Sequence, residues 1–456
     1  MESLTDLIEA HAEARERETW EVLLGQRAQF DAEGLESRFE LLTSGDALET
    51  ARAERDAVTS GDLRSARERL CFAIEDAVLD ARTRPLAAVV QRRAAAGASL
   101  DELAERREEH FARLAEVRAK LGYATGRARA ESRHPGVDFD AWGHEAERLL
   151  ERTNALYRDA LPALARRAKV APAVRTRVDL ERLVSMPSFD ALFSAARREP
   201  CLEYLLEGLG AALGKLRGVA VDAPPGSVGR PVCVAIRRPG NVRIVVRTPA
   251  GAPVYRGYFE AAGRALHAAF TSPSLPVERR RLGDPALPAA FGELLRQVLA
   301  DPAWLADFPA GRSADELARA ARFEHLARLR RTAGRVAPAL ALAALAGGSP
   351  HRLADLYAAA LGAATAVEHA PPEFLAGTDS ELGPVHALRA HCLASQLGEL
   401  LRKRCGRRFW RERGAGALLK EIWNTGSTYT AEGLASELGL GELGVDSLIE
   451  DALRVG

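Results

Sequence analysis

Lysine is nearly missing from this 456-residue chain, which carries it only at positions 120, 169, 215, 403 and 420, so its cations are almost all arginine. No net charge is left over, because 63 basic side chains meet 63 acidic ones. A polybasic nucleic-acid or phospholipid binder draws its affinity from a surplus of cations on one face, and this balance argues against both partners. Cysteine is scarce. Cys71, Cys201, Cys233, Cys392 and Cys405 are odd in number, scattered, and form no Cys-x-x-Cys pair, a pattern of reduced thiols that excludes a zinc ribbon or disulfide scaffold. Long hydrophobic runs are missing too. The closest, Val336 to Ala346, stops at Gly347-Gly348, short of the roughly 18 apolar residues of a membrane span, and reads as a buried helix. Met1 to Phe30 carries Glu2, Asp6, Glu9, Glu13 and Glu18 where a secretory signal would have a basic start and an apolar run, so a cytoplasmic location is expected.

Several catalytic signatures are also lacking. There is no Gly-x-Ser-x-Gly elbow, and in the one Cys-His adjacency, His391-Cys392, the side chains point about 100° apart on a helix. Gly208, Gly210 and Gly214 come nearest to a dinucleotide fingerprint, but the last glycine is one position late and a helical run precedes them. His144-Glu145-Ala146-Glu147-Arg148 begins like a zinc-helix motif and ends in arginine. Glu324-His325 and Glu368-His369 are adjacent pairs that cannot chelate together and read as surface residues.

What is present is helical periodicity. From Ser3 to about Ala196, Leu, Val and Ala recur at three- and four-residue spacing, which predicts four or five long antiparallel helices broken at Ser60-Gly61-Asp62, Gly97 and His134-Pro135-Gly136. Ser99 and Glu102 form a capping-box pattern for one of them. The pattern changes after Cys201. A helix ending near Gly218 is followed by the loop Pro224 to Pro231, and then Val232 to Ile236 and Val242 to Arg247 flank the turn Arg238-Pro239-Gly240-Asn241 as a lone β-hairpin over 232–248. Helical periodicity returns from Tyr255 to the end.

A lone hairpin feeding a helix is where helical zinc peptidases place their catalytic helix, and the helix expected over 257–270 supports the comparison. Phe259-Glu260-Ala261-Ala262-Gly263-Arg264-Ala265-Leu266-His267 resembles the F-H-E-x-G-H-A-L-H helix of the thimet oligopeptidase and oligoendopeptidase F family. Arg281 to Pro288 and Leu299 to Leu305 look like the segment bearing that family's third zinc ligand, and Gly406 to Trp410, Ile422 to Gly426 and Tyr429 to Glu432 are similar to its closing helices. The resemblance covers about Cys201 to Leu453. It implies a mainly α, zincin-like fold with a deep cleft and one small hairpin, divided into an N-terminal helical scaffold (1–200) and a peptidase-like lobe (201–456).

Such a site needs two imidazoles one helical turn apart, a carboxylate from a neighbouring helix, and a glutamate that takes a proton from metal-bound water. On the alignment anchored at Gly263, the first ligand position is Glu260, the general base Ala261, the second ligand Arg264 and the third Ala289. A permanent cation at Arg264 repels a divalent metal. Gly383 and Ala387 stand where the family has tyrosines, and Tyr429 matches a tyrosine common in its C-terminal segment. The resemblance therefore implies a catalytically inactive homologue without metal or cofactor. It would bind a peptide or protein, or pair with an active peptidase paralogue; the alternative is a hydrolase with a rebuilt site using Glu260, His267 and Glu293. Expected cleft residues are Val242, Ile244, Val246, His267, Glu293, His386 and Tyr429, with strand Val242 to Thr248 as an exposed edge for an added peptide strand. Glu260 and Arg264 are expected to pair, with Glu293 as a second partner.

Overall fold

The computed structural model describes residues 3–453 except 96–99, 169–173, 227–228, 249, 308–313, 348–349, 371–372 and 375–381. The chain is mainly helical with one small sheet. Five long helices dominate the N-terminal part: Leu4–Leu23, Gly61–Ala95, Leu100–Lys120, Phe139–Arg152 and Asn154–Ala168. Ser3 and Asp6 close a capping box at the first of these, satisfying backbone donors that a helix start leaves free. The break at Gly97 and the Ser99 cap lie outside the described residues. His134 to Val137 separates the Gly126–Arg133 helix from Phe139–Arg152, where Asp138 accepts from the amides of Asp140 and Ala141.

The sheet has three strands, not two: β1 (Val219–Asp222), β2 (Val232–Arg237) and β3 (Asn241–Val245), in the order β1-β3-β2. β2 and β3 form the antiparallel hairpin, with Cys233 opposite Ile244, and β1 runs parallel to β3, with Val221 opposite Ile244. The edge-strand expectation for Val242 to Thr248 is thereby corrected, because the backbone of β3 is paired on both sides. Val-Ala-Val-Asp is short and meets its partner through no local turn, so nothing in its own sequence announces it. A helix ending near Gly218 is likewise replaced by one that ends at Gly208.

Side chains alternate across the sheet as strand geometry requires. Ala235, Val242, Ile244 and Val246 enter the main core, whereas Val234, Ile236 and Val245 pack under Trp20, Leu23 and Leu24 at the end of the first helix. The main core draws on residues from Val137 to Ile449, and a second cluster gathers Ile8, Leu42, Leu70, Ile74, Leu114 and Val277 among the N-terminal helices. At the centre runs the helix Ala252–Phe270. Fourteen of its 19 residues are buried, so it is a core helix enclosed on nearly every face rather than an amphipathic surface helix.

Candidate functional site

Glycine sets the geometry of the site. A Cβ on Gly263 of the central helix would lie 2.1 Å from the carbonyl oxygen of Phe291, and one on Gly292 would lie 2.8 Å from the carbonyl oxygen of Glu260. Two helices, Ala252–Phe270 and Ala286–Val298, thus approach backbone to backbone, and this places Glu260 and Arg264 beside Glu293.

Glu260 accepts from Arg264 one turn along at 3.3 Å, as the spacing predicts. Arg328, on the helix Ala314–Gly334, bridges the two carboxylates at 3.2 Å from Glu260 and 2.9 Å from Glu293. Arg230 stands 3.7 Å from Glu260, and Arg296 reaches Glu260 at 4.0 Å and Glu293 at 3.7 Å. Arg296 also pairs with Glu324, which faces Arg256 at 3.6 Å. Glu293 is therefore a second acid in the network, held by Arg328 and Arg296. His391 and His325 approach it at 3.4 and 3.7 Å. Burial would raise both carboxyls, but the Arg328 guanidinium, joined by Arg264 and Arg296 at Glu260 and by His391 and Arg296 at Glu293, outweighs it; Glu260 is held below its usual range and Glu293 well below. Glu324, expected on the surface, is buried in this network, and the His369 side chain is buried between Thr365 and Glu373. Charged residues become interior here because each acid meets guanidinium forks.

In front of this network lies a cavity of about 730 Å³ between the N-terminal helices and the peptidase-like helices. Arg264, Ala289, His386, Gly383 and Ala387 line it on one side, so two positions that the resemblance aligns with metal ligands and both that it aligns with tyrosines face the same space. Arg84, Arg129, Arg133 and His110, on N-terminal helices expected to be scaffold, and His134, just past one of them, line the other side. Their signal was spacing alone, with Arg129 and Arg133 one helical turn apart.

His386 is held by a buried knot. Arg389, fully buried, donates to both oxygens of Asp284 and of Glu432, and its Nη1 lies 2.8 Å from His386 Nδ1. Since a guanidinium can only donate, His386 Nδ1 accepts and the ring proton resides on Nε2. Burial, with His134 and Arg389 nearby, lowers the His386 imidazole to about 3, so it is neutral at pH 7.

The other nominated residues do not line the cavity. Val242, Ile244 and Val246 belong to the core. His267 is 1% exposed, packs on Phe291 and donates Nε2–H to the carbonyl of Gly426 at 3.0 Å; burial lowers its imidazole to about 4. Tyr429 is half-buried against the main core, and Ala261 is buried. The rebuilt site imagined from Glu260, His267 and Glu293 is not assembled, because both glutamates hold guanidiniums and His267 binds a carbonyl.

The residues that the resemblance aligns with metal ligands do not fit zinc. Glu260 offers oxygens already engaged by guanidiniums, Arg264 brings a fixed positive charge, and the Ala289 methyl offers no lone pair. Among the described residues, no group of three or more His, Cys, Asp or Glu is placed to hold a metal ion. Also among them, no helix is long and apolar enough to cross a membrane.

No protein-family model matches this sequence. No curated protein matches it either. Solved structures do match in fold. An M32 carboxypeptidase from Deinococcus radiodurans is 15% identical with a TM-score of 0.64, covering 99% of this chain and 97% of its own. A metallocarboxypeptidase of Trypanosoma cruzi is 13% identical with a TM-score of 0.62, covering 99% of each chain. A structure described as oligoendopeptidase F is 14% identical with a TM-score of 0.58, over 92% of this chain and 83% of its own. The likeness therefore extends to the N-terminal helices, beyond the segment where sequence alone carried it. This chain has the mainly helical, zincin-like fold of these metallopeptidases.

Proposed function

We propose that this protein is a catalytically inactive relative of the metallopeptidases whose fold it shares, and that it holds a peptide or an extended protein segment in the cleft without cutting it. One observation supports the reading: Arg264 and Glu260, which the resemblance aligns with metal ligands, form an ion pair beside a cavity of about 730 Å³. A cavity of that size is in the range of ligand-binding pockets. Hydrolysis would need an activated water or a nucleophile, and Ala261 offers no base where the family has one. An active peptidase paralogue remains a second form of protein partner, with the cleft ligand then supplied through the complex.

The test is incubation of the purified protein with a diverse peptide mixture, read by mass spectrometry for products and by native mass spectrometry for retained peptides. Retained, intact peptides are expected. Products that accumulate with time in proportion to protein, or a failure to retain any peptide, would contradict the reading.

A further inference from the structure

Resting on that reading of the cleft, we propose that its ligand is an acidic peptide, a segment carrying several Asp or Glu side chains. Among the described residues, the cavity wall carries Arg84, Arg118, Arg129, Arg133 and Arg264 and one carboxylate, Asp80. The whole chain has no net charge, so this is a local concentration of cations.

The carboxylates behind the wall are shared. Asp80 takes both Arg84 at 2.7 Å and Arg15 at 3.0 Å. Asp76 takes Arg129 and Arg133 together, and Glu75 stands 3.5 Å from Arg129 and 2.9 Å from Arg52. In the network at the base of Arg264, five arginines (230, 256, 264, 296 and 328) meet three glutamates (260, 293 and 324). Arg84 and Arg133 share their acids with other guanidiniums and so keep donors and charge for another carboxylate, which their planar forks match. The side chains of Arg84, Arg133 and Arg264 remain 23%, 29% and 37% exposed, so a ligand can reach them.

The rest of the lining selects among anions. His110, His134 and His386 are lowered by burial to about 4, 4 and 3, so at neutral pH they offer hydrogen bonds without charge. Among the described residues, Phe30 is the one Phe, Tyr or Trp on the wall, and they present no row of aromatic faces for stacked bases. Peptide carboxylates fit this wall better than a single-stranded nucleic acid does.

The test is fluorescence anisotropy on the full chain with three labelled peptides of equal length, rich in Glu, in Gln or in Lys. The Glu peptide should bind about tenfold or more tighter than the Gln peptide at low salt, with the difference shrinking as salt rises. The Lys peptide should not bind. In the R84Q/R133Q variant the Glu preference should fall to about threefold or less; Asp80 keeps Arg15 and Asp76 keeps Arg129, so the fold is spared. Equal binding of Glu and Gln peptides would overturn the acidic preference and leave peptide holding intact. No binding of any peptide would overturn both. Tighter binding of an oligonucleotide or of inorganic phosphate, each run as a competitor, would replace the peptide by a phosphate ligand. The wild-type comparison decides the matter even if the variant fails to fold.

Discussion

Gly263 and Phe291 are in contact through backbone: a methyl at Gly263 would sit 2.1 Å from the Phe291 carbonyl oxygen. Alanine normally favours a helix over glycine by about 1 kcal/mol, but here the two central helices would have to separate. G263A is expected to lower stability by about 2 kcal/mol or more, as overpacking does, measured by urea unfolding. Unchanged or raised stability would show that the helices are not locked at this point.

Arg328 bridges the buried Glu293 and the half-buried Glu260. R328M should destabilise the fold by about 3–5 kcal/mol, because Glu293 loses its shortest cationic partner inside the protein. Adding E293Q should restore part of that loss. A double variant no more stable than the single one would contradict the bridge.

Among the described residues, Arg330 is a buried cation held by carbonyl and hydroxyl oxygens and by no carboxylate. It donates to the carbonyls of Leu150 at 2.6 Å and Ala364 at 2.7 Å and to Thr153 Oγ1 at 2.7 Å, near the C-terminal ends of the Phe139–Arg152 and Ala354–Thr365 helices. Burial lowers it to about 10, and the negative ends of two helices offset the desolvation. A lysine cannot span these acceptors with one nitrogen, so R330K should cost about 2–3 kcal/mol, read as a lower midpoint in denaturant.

Acid should weaken the fold before its carboxylates titrate. His267 and His325 have ordinary values of 6.5 and are lowered by burial to about 4. Below 6.5 the unfolded chain takes up protons that the folded chain refuses, so their stability contribution is complete above that pH and is lost as pH falls toward 4. By pH 5 each has cost the fold on the order of 1–2 kcal/mol. Glu260 and Glu293 act lower: held below 4.5 in the fold, they contribute above that value and lose it as pH falls further. H267Q keeps a donor for the Gly426 carbonyl and should flatten the decline between pH 7 and 5. A profile as steep as that of the wild type would rule out His267 as a source.

The central helix was legible in the sequence because Gly263, which packing requires there, anchors the Gly-x-Ala-Leu-His pattern. The Glu260–Arg264 pair followed from one-turn spacing. Arg328 and Arg296 could not be read in the same way, since they arrive from other helices and no local pattern marks them. The same applies to β1, whose parallel partner lies beyond the hairpin, and to Arg84 and Arg133, which look like solvated helix charges until the fold sets them across from Arg264. His267 misled because burial and a backbone acceptor explain it as well as a cleft would.

Elemental analysis of protein purified without chelators and exposed to excess zinc tests the central claim, that the ion pair of Arg264 and Glu260 has taken the place of a metal. The account predicts no stoichiometric zinc, and no gain in an Arg264→His variant, because Ala261 and Ala289 still supply neither base nor ligand. One tightly held zinc per chain in the wild type would contradict it.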